Sequence, residues 1–92
     1  MKLPYRTDIQ NFTDIPNIGK SIATDLRLIG LTSPEELIGR DPYQMYDELC
    51  VVTGEKQDPC VIDVFISAVR YMEGGPPKKW WEYTAERKKA LS

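Results

Sequence analysis

Residues 59–72 read PCVIDVFISAVRYM, an apolar run interrupted only by Asp63, Ser67 and Arg70 among its later positions. These polar residues recur at spacings of four and three. On a helix they form one stripe, and every other direction is apolar. The β-branched content also suits a strand, but the length and the Asp58-Pro59 start favour a helix. In a chain of 92 residues, a helix that is apolar almost all round belongs at the centre, with the other elements covering it.

The rest of the chain is punctuated for short helices. Ser33-Pro34, Asp41-Pro42 and Asp58-Pro59 each set a capping side chain before a proline, which suits the first helical position. Ser33 and Glu36 have the spacing of a capping box. Gly30, Gly39, Gly54 and Gly74 fall where helices should stop. The resulting expectation is helices at 8–13, 19–29, 34–38, 42–52 and 59–73. Ile18, Ile22, Leu26 and Ile29 share one face of the second, with Asp25 and Arg27 outward. Tyr46, Leu49 and Cys50 mark the buried side of the fourth. After the firm stop at Gly74-Gly75-Pro76-Pro77, the residues Trp80, Trp81 and Tyr83 are read as a clasp over the central helix, ahead of a tryptophan pair that stacks on unpaired bases with help from Lys78 and Lys79. Thr84 then caps a short helix carrying Glu86, Arg87, Lys88 and Lys89. The fold class is all-α. Its expected organisation is two helical hairpins joined by a connector helix over residues 1–75, with an aromatic and basic extension, 76–92, packed on them.

Charge limits the partners. The net charge is −2, which argues against a strongly basic nucleic-acid binder. Residues 1–77 hold 7 Lys+Arg and 12 Asp+Glu, giving −5, while residues 78–92 hold 5 and 2, giving +3. There is no His, which removes the commonest general base and the commonest metal ligand together. Cys50 and Cys60 alone do not make a usual zinc site, so no metal or other cofactor is expected. The stretch MKLPYRTDIQ lacks the apolar core of a signal peptide, and no segment is long enough to span a membrane. The expected location is cytoplasmic, with reduced thiols. Cys60 falls near a helix start, where the dipole lowers a thiol pKa. The favoured reading of both cysteines is nevertheless two buried small hydrophobes, ahead of a reactive Cys60 or a Cys50–Cys60 disulfide.

Residues 13–31, TDIPNIGKSIATDLRLIGL, carry the functional signal. The turn Ile15-Pro16-Asn17-Ile18-Gly19, followed by Lys20-Ser21-Ile22-Ala23, resembles the helix-hairpin-helix motif. Ile18 takes the place of the buried turn residue, Gly19 opens the second helix, Ala23 is the small residue at the helix crossing and Leu26 the next core contact. A glycine at 19 permits positive φ and close approach. The N–H groups of Gly19, Lys20 and Ser21 stand at a positive helix end, which suits a phosphate, and Lys20 adds a charge. Asn17 departs from the motif by replacing its first glycine. Asn tolerates the left-handed conformation, but its side chain is expected to stand in the path of a phosphate. The candidate nucleic-acid-binding residues are Asn17, Ile18, Gly19, Lys20 and Ser21.

Four stretches, IPNIGKSIATDLRLIGL, EELIGRDPYQMYDELC, TGEKQDPCVIDVF and KKWWEYT, taken in order, resemble a family of small bacterial proteins named for a pathogenicity locus. Some of its members bear a mitomycin-resistance label. The resemblance covers most of the chain and implies a bacterial helix-hairpin-helix protein. Lys20 and Asp41 invite comparison with helix-hairpin-helix glycosylases. Those enzymes need a further helical domain to wall a base pocket, and there is no room for one here, so no enzymatic activity is expected. Two functions remain. One is a DNA-associated module that holds the phosphate backbone of double-stranded DNA without reading sequence. The other is a protein-interaction adaptor that keeps the fold without the DNA.

Overall fold

The apolar run forms helix α3, Cys60–Met72, and it is the hub of the computed structural model, which describes residues 5–91. Around it lie α1 (Lys20–Leu28), α2 (Pro42–Thr53) and α4 (Thr84–Leu91), together with single 3-10 turns at Phe12–Asp14, Pro34–Leu37 and Trp80–Tyr83. No strand occurs among the described residues, and the protein is all-α. Every residue of α3 from Ile62 to Val69 is buried. One side of it, with Phe65, Ala68, Val69 and Met72, joins Phe12, Ile15, Leu26, Leu37, Met45 and Leu49 in the main core. The other side, Ile62 and Ile66, forms a smaller cluster with Tyr83. Each such large apolar side chain contributes about 1.5–3 kcal/mol on burial.

The polar stripe of α3 is an assembly line for three different neighbours. Asp63, at 0% exposure, accepts from the Thr84 hydroxyl at 2.7 Å and from Arg87 Nε at 2.8 Å. Ser67 Oγ accepts from the Asn17 amide nitrogen at 2.8 Å. Arg70 pairs with Glu86 at 2.6 Å. A buried carboxylate is tolerable because two donor groups, one of them a cation, meet it.

The helix expected at 8–13 is absent; its only regular piece is the 3-10 turn Phe12–Asp14. The backbone before it is committed elsewhere. Arg6 N–H donates to the Met72 carbonyl at 2.8 Å, and the Arg6 guanidinium donates to the Tyr71 and Gly75 carbonyls at 2.5 and 2.9 Å. The Arg6 cation thus adds a donor to the Tyr71 carbonyl and its N–H one to the Met72 carbonyl, and the charge meets the negative end of the α3 dipole. The segment expected as a helix at 34–38 is likewise a 3-10 turn. Its Ser33 side chain caps nothing. Glu36 instead reaches one residue further back, accepting from the Thr32 N–H at 3.1 Å and also from the Thr32 hydroxyl.

The remaining punctuation works as the sequence implies. Asp41 Oδ1 accepts from Tyr43 N–H, and Asp58 Oδ1 from Cys60 N–H, both at 2.9 Å. At the end of α3, Gly74 N–H donates to Tyr71 O and Gly75 N–H to Arg70 O, the two bonds of a Schellman motif. Gly75 is required sterically: a Cβ there would lie 2.8 Å from the Arg70 carbonyl oxygen. This close return sends the chain back along α3.

The returning segment is a clasp of unequal parts. Tyr83 is buried at 5% exposure, and Trp80 is half-buried against the main core. Trp81 does not follow the expectation of a buried pair. It is 57% exposed and meets Trp80 edge-on, with ring centroids 5.5 Å apart. A 3-10 turn advances 120° per residue, so three aromatics at 80, 81 and 83 cannot all face α3.

Candidate nucleic-acid interface

The turn at 15–19 is built from the core outward. Ile15 and Ile18 are buried and anchor it, and Ile18 N–H closes it on the Ile15 carbonyl at 3.1 Å. The side chain of Ile18 therefore serves packing and faces no ligand. Between them, Asn17 is the one non-glycine at positive φ among the described residues, at +74°. Its side chain explains how the strain is held. The amide nitrogen donates to Ser67 Oγ and to the Lys78 carbonyl, each at 2.8 Å. Its amide is thus directed to α3 and the returning segment.

Gly19 also differs from expectation. Its φ is −96° and ψ −173°, an extended conformation open to any residue, and a Cβ would meet nothing within 4 Å. Neither backbone geometry nor packing demands a glycine there. What its lack of a side chain does is leave the start of α1 bare. No side chain caps the helix, and no acidic residue lies in its first turn. The N–H groups of Gly19, Lys20 and Ser21 have no hydrogen-bond partner among the described residues. All three residues are exposed. Four such orphan donors begin every α-helix, and they favour an anion.

Sequence reasoning missed what stands beside this turn. The Asn17–Lys78 bond places the basic segment Lys78-Lys79 next to it. Lys20, Lys78 and Lys79 make no ion pair among the described residues. The acidic residues of the returning segment are occupied, Glu82 by the Lys79 N–H at 2.8 Å and Glu86 by Arg70. The available signal was the +3 charge of residues 78–92 together with Ser67 in the polar stripe; neither says that the two meet at Asn17.

The thiols lie apart from this site. Both are free and half-buried. Cys50 Sγ accepts from Gln57 N–H at 3.5 Å. Burial pushes the Cys60 thiol up, and the Asp58 carboxylate that caps its helix pushes it further, so the dipole effect expected from the sequence is overridden. A raised thiol pKa leaves little thiolate at neutral pH. Cys60 should react slowly with a chromogenic disulfide reagent at pH 7, its rate climbing only above the ordinary thiol range. Asp58→Asn keeps the cap and removes the charge, so it should shift that profile to lower pH. Fast labelling of Cys60 in the native parent protein at pH 7 would refute this. No cluster of acidic and sulfur ligands that could hold a metal, and no pocket, occurs among the described residues. No helix there is long and apolar enough to cross a membrane.

The architecture defines a small all-α protein assembled on one buried helix, with a bare helix start exposed on its surface. The chain belongs to the Cdd1 family, described as "Pathogenicity locus", whose model matches residues 5–89. Among curated proteins, the mitomycin resistance protein McrB of Streptomyces lavendulae is 38% identical over 86 residues, covering 94% of this chain and 82% of that protein. No solved structure matches the chain.

Proposed function

We propose that this protein is a helix-hairpin-helix module that associates with DNA by holding its phosphate backbone, without reading sequence. The observation behind this reading is the bare start of α1, where Gly19, needed by neither conformation nor packing, leaves three N–H donors open beside Lys20. The Asn17 amide is engaged by Ser67 and the Lys78 carbonyl, which supports an approach to these donors past its side chain. The mitomycin resistance named in its relative is compatible with a role at DNA. An adaptor function is the second reading. It is favoured by Val51 and Val52 at the end of α2, which are 82% and 51% exposed and offer an apolar contact for another protein.

A labelled duplex titrated at several salt concentrations separates the two. Binding should be weak, indifferent to sequence, and should fall with salt at a shallow slope equivalent to about one to three phosphates. Lys20→Glu should weaken it uniformly. Gly19→Asp is the sharper variant, because an aspartate in that extended conformation caps α1 and fills the anion site with its own carboxylate. It should hold or raise the melting temperature while abolishing binding. Absence of binding by the parent protein even at low salt would refute the DNA reading and leave the adaptor.

A further inference from the structure

Trp81 is the largest side chain this small fold leaves outside. It is 57% exposed, although its neighbours Trp80 and Tyr83 both pack inward. Its position is nevertheless fixed. The 3-10 turn that bears it is closed by Glu82, which accepts from the Lys79 N–H at 2.8 Å, and by the Glu82 N–H, which donates to the Lys79 carbonyl at 3.0 Å. Tyr83 roots the turn in the smaller core cluster, and the edge of contact with Trp80 steadies the indole itself. Upstream, the Lys78 carbonyl is held by Asn17. An exposed aromatic surface is therefore presented on a braced support, with its ordering entropy already spent in folding.

Its surroundings select the partner. Lys78 and Lys79 form no ion pair among the described residues, the Lys78 ammonium lying 5.6 Å from the centroid of the Tyr83 ring, and the nearby carboxylates Glu73, Glu82 and Glu86 are engaged by the Gly39 N–H, the Lys79 N–H and Arg70. An apolar protein surface would leave those ammonium groups without a counter-charge. A nucleic-acid strand supplies both a base to stack and phosphates to neutralise them. Trp81 is three residues from the point at which Asn17 grips the chain. Three residues span at most about 11 Å, so one strand can reach both the α1 turn and the indole.

We infer that Trp81 is a stacking platform for an unpaired base, and that the DNA this protein prefers is a duplex adjoined by single strand rather than an uninterrupted one. This rests on the phosphate-holding reading of the α1 turn, and supplies the substrate class that reading lacks.

The test compares a blunt labelled duplex with the same duplex extended by a short thymidine overhang, measured by fluorescence anisotropy and by quenching of the protein's tryptophans. The parent protein should bind the extended duplex roughly 5- to 150-fold more tightly, the range a single stacked base supplies. Trp81→Ala should erase that preference, leave blunt-duplex binding unchanged and leave the melting temperature unchanged. Trp81→Phe should retain part of the preference. Equal affinity of the parent for the two duplexes, or equal weakening of both by Trp81→Ala, would overturn the platform while leaving the α1 contact standing. Failure of the parent to bind either duplex at low salt would overturn both.

Discussion

A chain ending at Gly75 is expected to melt far below the full-length protein or to show no cooperative thermal transition at all. The deletion removes Tyr83 from Ile62 and Ile66, and loss of a large buried aromatic costs about 3–5 kcal/mol. It also strips Asp63 of both the Thr84 hydroxyl and the Arg87 guanidinium. A buried carboxylate left without its cation costs about 3–5 kcal/mol more. Together these amount to about 6–10 kcal/mol, against a total stability of about 5–14 kcal/mol for a domain of this size. Far-UV circular dichroism on heating is sufficient to decide. A truncated protein that melts sharply near the full-length value would show that residues 76–91 contribute little to the fold.

Arg87→Ala isolates the electrostatic half of that loss. The Arg87 side chain is 12% exposed and Asp63 is fully buried. The Asp63 carboxylate raises the pKa of Arg87 still higher, so the guanidinium stays charged across the accessible pH range. Truncating it should lower stability by about 3–5 kcal/mol and the melting temperature by roughly 12–40 °C. Glu86→Ala, on the neighbouring residue, should cost less than about 1 kcal/mol, because its partner Arg70 is half-exposed and solvent screens the pair. The double variant Asp63→Leu with Arg87→Leu should recover most of the loss, since an apolar pair of similar volume carries no stranded charge. If Arg87→Ala and Glu86→Ala prove equally mild, the buried pair is not a determinant of stability.

The central helix, its stripe and the all-α class were legible because they follow from periodicity, which burial enforces. Ile62 to Val69 had to be covered, and they are. The aspartate caps were legible for a similar reason, since Asp41 and Asp58 act within two residues of themselves. What could not be read was the destination of polar groups across long separations. Arg6 takes residues 5–10 to the far end of α3 and so removes a helix that local pattern favours. Ser67 and Asp63 announced polarity without naming Asn17 or Arg87, which lie 50 and 24 residues away. The α1 turn shows both cases together. Its buried Ile18 was recognisable, whereas the extended backbone of Gly19 and the direction of the Asn17 amide depend on what the returning segment does. Trp81 was misjudged because composition counts aromatics and only the turn geometry says which of three neighbours faces inward.

The order in which a ribosome delivers these residues gives the Asp63–Arg87 contact a further meaning. Synthesis makes α3 long before the guanidinium that neutralises it exists. Until residue 87 clears the exit tunnel, the hub of the fold carries a carboxylate with no cation to meet it, and its Ile62–Ile66 face lacks Tyr83. The amino-terminal part of the chain consequently cannot complete the fold by itself, because α3 is closed over only once Tyr83 and Arg87 are available to it.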